Sequence, residues 1–213
     1  MRRSPMIGRL AGWAAASLLL MSAAGCTVDD GDETPPNPPT AAQTPAASSS
    51  GPAPSDAAGQ TFGSECPNFP ATGEGSLQDL AQRDWVTALA MTPALSQWSV
   101  ITTAAGLQAD FAQHGDVTVF VPVDGAFRAY GTDRIRQLLI NPQQAGDLLR
   151  YHVVTDRLSP EELAGTHQTL TGQQLEVTGS GENFEVDGEA TVVCGNLQAA
   201  NATIYLVDRV LTP

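Results

Sequence analysis

The segment TVFVPVDGAF, Thr118 to Phe127, leaves this chain the fewest choices. Val117, Val119, Phe120 and Val121 form an apolar run of β-favouring residues, which predicts a buried strand. Pro122 has no amide hydrogen to give a sheet ladder, so the strand is expected to stop there. Asp124 follows with a side chain suited to accept from the free amides of a helix start, and Phe127 and Tyr130 continue at helical spacing. The expected unit is a buried strand that turns sharply into a helix. On these residues alone, a generic strand-turn-helix reads as well as any family signature.

The flanks decide between layer architectures. Before the strand, Ser76 and Asp79 make a capping-box-like start to a segment whose Leu77, Leu80, Ala81, Trp85, Ala88 and Leu89 lie near one helical face. Thr92 and Pro93 open a second helix through Leu95, Trp98 and Ile101, which Gly106 is expected to end, and residues 107–113 give a shorter helical piece. After the strand, 132–140 and 142–149 read as helices, and Ser159-Pro160-Glu161-Glu162 as the start of a last short one. Strands are then expected at 166–170, 174–178, 183–186, 190–194 and 203–211, punctuated by glycine and polar residues. Helices first and strands later argue for α+β and against a doubly wound parallel sheet. A domain of about 150 residues buries roughly two thirds of its unfolded surface, an adequate core.

Residues 1–25 have the anatomy of an export signal: Arg2, Arg3 and Arg9, then a largely apolar run from Leu10 to Ala24 that is short for a permanent span. The run ends in Ala23-Ala24-Gly25-Cys26, which resembles a bacterial lipobox and makes Cys26 the expected site of lipid attachment. The alternative is a plain secretory signal that leaves Cys26 a free thiol. Residues 26–61 are mostly Pro, Ala, Ser, Thr, Gly and acids, too poor in apolar area to offset ordering entropy, and read as a disordered tether. A flexible coil of that length spans roughly 30 Å. Removing the leader leaves seven arginines, no lysine and 23 acids, a net charge of −16. Nucleic acid is therefore excluded as a partner, and membrane attachment is expected through the N-terminal lipid alone. Export also places Cys66 and Cys194 in an oxidising compartment, which predicts one disulfide; the alternative is two small buried hydrophobes.

Three motifs together resemble a known family. TVFVPVDGAF is similar to the first signature of the fasciclin domain, Tyr151-His152-Val153-Val154 to its tyrosine-histidine motif, and NATIYLVDRVLTP at 201–213 to its closing signature. The likeness covers 62–213 and is greatest to mycobacterial secreted fasciclin-domain antigens and their cell-surface lipoprotein sibling, including Val192-Val193-Cys194-Gly195. It implies a wedge of two packed β-sheets with a helical flank, displayed outside cells for adhesion or protein contact, non-catalytic and without a cofactor. In animal members the tyrosine-histidine motif and an aspartate-isoleucine pair are linked to integrin binding. The matching positions here are Tyr151, His152, Asn196 and Leu197, so the acid of the pair is missing.

The residues themselves offer no G-x-S-x-G, C-x-x-C, H-E-x-x-H or phosphate-binding glycine loop. Asp110, His114 and Asp116 read as a solvated acidic face before they read as metal ligands. His152, set among leucines and valines, reads as a buried histidine tied by hydrogen bonds, with a partner expected at the Val123-Asp124 turn. Tyr151 and His152 are expected in a strand, on opposite faces. His167 shows no evident partner. Two functional classes remain: a surface-anchored module that meets an extracellular protein or matrix polymer, and a carrier of a small apolar or lipid ligand at the cell envelope.

Overall fold

The computed structural model describes residues 61–213. The leader 1–25, Cys26 and the tether up to Gln60 lie outside the described residues. The single amphipathic helix expected from Ser76 is two: α1, Leu77–Leu80, and α2, Trp85–Ala90. Asp84 divides them, because its extended backbone lets its side chain accept from the amide of Thr87 at 3.0 Å and start a new helix. Ser76 does cap α1 by accepting from Asp79, whose carboxylate accepts in turn from the amide of Gly75. A 3-10 turn, Pro93–Leu95, leads into α3, Ser96–Ala105, which stops at Gly106 with φ 69. Then come α4, Gln108–Phe111, strand β1, Val117–Pro122, and helices α5, Asp124–Tyr130, α6, Thr132–Ile140, and α7, Pro142–Tyr151.

The rest is β2, Val153–Val154, β3, Gly165–Gln168, β4, Gln174–Ser180, β5, Asn183–Val186, β6, Ala190–Ala199, and β7, Ala202–Val207. No helix forms at Ser159–Glu162. The amide and hydroxyl of Ser159 both donate to Glu162 Oε2, and the chain reaches Gly165 and β3 before a second turn can repay nucleation.

Among the described residues, the seven strands belong to one sheet in the order β2-β1-β7-β6-β5-β4-β3. The β1–β7 pair is parallel and the other pairs are antiparallel. The wedge arises because β6 serves both halves: register shifts between Val192 and Cys194 and between Cys194 and Leu197 bend it from one into the other. At the far ends, Leu170 donates to Val153 and Thr155 to Gln168, so the sheet nearly closes.

Strand alternation then builds two apolar clusters. Val117, Val119 and Val121 face the helices, against Trp85, Trp98 and Phe127, whereas Phe120 turns the other way to meet Tyr205 and Val186 between the sheet halves. Cys66 and Cys194 are joined by a disulfide. It ties the first described segment to β6, beside a bond from the Glu65 amide to the Val193 carbonyl at 2.9 Å. Gly195 is needed next to it, because a Cβ there would collide with the ring of Phe62.

Candidate functional site

Tyr151 and His152 do not sit in a strand. Tyr151 is the last residue of α7 and His152 its C-cap, so neither follows the alternation of a sheet, and both are buried. The Tyr151 hydroxyl donates to Asp187 Oδ2 at 2.8 Å, while Asp187 Oδ1 accepts from the amide of Glu176. Asp187 adopts φ 53 just after β5, a conformation that aspartate tolerates better than most residues. Burial, reinforced by the bond to Asp187, holds the Tyr151 phenol well above its ordinary pKa.

His152 is fixed as one tautomer. Its Nε2 lies 3.0 Å from the amide nitrogen of Leu211, and a backbone N–H can only donate, so Nε2 accepts. Nδ1 then carries the proton and donates to the Leu148 carbonyl at 2.8 Å. The partner expected at the Val123-Asp124 turn is thus replaced by the end of the chain, and the ring also meets Trp98 edge-on at 5.7 Å. Complete burial outweighs the Leu148 carbonyl and lowers the His152 pKa to about 4. Each polar atom of this pair is engaged inside the protein, which suits holding α7 to the chain end better than moving a proton.

Asn196 and Leu197 occupy the second register shift of β6. Asn196 has φ 59, is buried, and accepts from Gln198 Nε2 at 2.6 Å; Leu197 packs in the helix-side cluster. Tyr151 belongs to the cluster between the sheet halves, so the four motif positions share no common exposed surface. With this wedge, these buried motifs and the closing β7 strand in place, the family model of the fasciclin domain matches residues 93–213. The chain belongs to the fasciclin-domain family.

Its fasciclin relatives include the immunogenic protein MPB70 of Mycobacterium bovis, 36% identical over 178 residues, which are 79% of this chain and 90% of MPB70. The cell surface glycolipoprotein MPB83 of the same species is 35% identical over 180 residues, 80% of each chain. Among solved structures, the FAS1 domain pair of the insect cell adhesion molecule Fasciclin I superposes with a TM-score of 0.56 at 13% identity. That match covers 63% of this chain and 52% of the insect chain, and it shows the fold alone.

Other polar residues of this fasciclin domain have partners that sequence did not disclose. Asp124 is the first residue of α5 and does not cap it; its carboxylate crosses to α3, accepting from the Ser96 hydroxyl at 2.7 Å and the Gln97 amide at 2.9 Å. Replacing Asp124 with Ala should therefore cost about 1 kcal/mol, the usual value of an N-cap, while Asp124→Asn keeps one acceptor and should cost less. Urea midpoints of the two variants check this. Asp110 pairs with Arg150 Nη2 at 2.8 Å and stands 4.0 Å from His114; among the described residues no group of three His, Cys or acid ligands converges. His167 Nε2 lies 2.9 Å from the Leu163 carbonyl, and Asn201 accepts from the amide that begins α2.

Proposed function

We propose that this chain is an exported protein, held to the outer face of a cell membrane by a lipid on Cys26. From there it presents its fasciclin domain as a non-catalytic module that contacts an extracellular protein or matrix polymer. The observation that carries the reading is the similarity to the cell surface glycolipoprotein MPB83, which extends over 80% of both chains. The order of export signal, Ala23-Ala24-Gly25-Cys26, polar tether and domain supports it, since an anchored domain needs its parts in that order. Among the described residues no helix is long and apolar enough to cross a membrane. In this reading, attachment rests on one sulfur. The internal engagement of Tyr151 and His152 supports the non-catalytic part.

Detergent phase partition tests the anchor. Wild-type protein should enter the detergent phase and yield an acylated N-terminal Cys26 peptide by mass spectrometry, whereas Cys26→Ser should move to the aqueous phase with unchanged domain melting. A wild-type protein that is wholly aqueous, with Cys26 unmodified, removes the surface anchor. A pull-down from cell-envelope and extracellular-matrix extracts with the Cys26→Ser chain then identifies the partner.

A further inference from the structure

A cleft of about 550 Å³ is lined by none of the four motif positions Tyr151, His152, Asn196 and Leu197. Its walls come from separate pieces of chain: the disulfide-tied segment at Phe69 and Pro70, the turn at Pro93, Val123 after β1, and Leu206 of β7. These side chains are apolar, and the volume falls within the range of small-molecule sites. The polar groups differ in what they have left to offer. Both oxygens of Asp124 already accept, Glu65 accepts from Asn68, and the Thr92 hydroxyl donates to Ala88.

Arg128 is different. Arg83, Arg136 and Arg150 face carboxylates, Arg134 lies over Tyr130, and Arg157 donates to Gln198, Ala199 and Thr203; among the described residues Arg128 makes no such contact, which it shares with Arg209 outside the cleft. It lines this cleft. A second cleft, of about 710 Å³, holds Arg157, whose donors are already engaged.

We propose that the cleft binds a carboxylic acid with a medium-length acyl chain, its carboxylate on the Arg128 guanidinium and its chain against Phe69, Pro93, Val123 and Leu206. A guanidinium fork matches a carboxylate in two parallel bonds. One unengaged guanidinium in a cleft with an apolar wall fits a ligand with a single polar head. Glu65 and Asp124 in the same cleft penalise a second negative charge, so a carboxylate is preferred to a phosphate dianion. This site goes beyond the surface module and does not depend on what that module meets.

The protein to titrate is the Cys26→Ser chain, because it carries no acyl anchor of its own that would compete. Laurate should bind once per chain, and dodecyl phosphate, with the same tail, more weakly. Arg128→Gln should weaken laurate about tenfold, the effect of losing one exposed charge-assisted contact. Ala94→Trp, at an exposed lining position, should abolish binding. Both variants should melt like the parent, since neither side chain is buried. No laurate binding below the concentration at which laurate self-associates overturns the site. Binding that ignores both substitutions overturns it as well, and tighter binding of dodecyl phosphate overturns the carboxylate preference.

Discussion

The double variant Cys66→Ala/Cys194→Ala should unfold with about 5 kcal/mol less free energy than the wild type, because the bridge closes a loop across 128 positions of sequence and the chain-entropy cost of such a loop is of that size. For a domain of this length, that corresponds to a fall in melting temperature of roughly 10 to 20 °C. The folded state should survive at low temperature. Without the bridge, the first segment still holds β6 through the Glu65–Val193 bond and the Phe62–Gly195 pair, in which each amide donates to the other residue's carbonyl at 3.3 and 2.7 Å. Calorimetry of the two proteins at neutral pH is the measurement. Equal melting temperatures would show that the unfolded chain gains no freedom when the bridge is gone.

What could be read in the sequence was whatever neighbouring residues dictate. Pro122 ends β1, Gly106 ends α3 and Ser76 caps α1, because each effect acts within a few positions of its cause. The apolar run around Phe120 announced burial on both faces, and the structure divides it between two clusters. Local signals mislead where two of them compete. The apolar face from Leu77 to Leu89 reads as one helix, yet Asp84 lies within that segment, aspartate is a good cap, and here it starts a second helix. Ser159 to Glu162 carries every start signal, but too few residues follow to propagate a helix.

The candidate site was less legible because its bonds are long in sequence. Tyr151 finds Asp187 36 positions away, and His152 finds Leu211 59 positions away. No spacing rule reaches that far. Asp124 was expected to serve the helix it begins and serves α3 instead, 27 to 28 positions upstream. One signal was available: Gly195-Asn196 in a β-rich stretch pairs the two residue types that best tolerate irregular and left-handed backbone, which marks a bulge in β6 and hence a buried Asn196.

Stability should fall in two stages as the pH is lowered, and His152 should cause the first. Its pKa is about 4 in the folded state and near 6.5 in an unfolded chain, so the unfolded state takes up the proton first. The contribution of neutral His152 is therefore complete above pH 6.5 and is lost as the pH falls to about 4, a change of roughly 3 kcal/mol. Asp79 and Glu162 have lowered pKa values through bonds from Arg83 and from Ser159, so their contributions are present above their unfolded values and fade only below them, in the second stage. His152→Gln should remove the first stage and leave the second. A protonated Nε2 cannot accept from Leu211, so amide exchange at Leu211 should also quicken across the first stage. Tyr151→Ala should cost roughly 3 kcal/mol or more at pH 7, since it empties a buried aromatic site and leaves Asp187 without its hydroxyl donor. Any loss of partner binding in these variants should track the loss of folded protein. If Tyr151→Ala and His152→Ala keep the wild-type melting temperature and still lose binding, the motif is a contact surface, and the packing seen around both side chains is not what secures them.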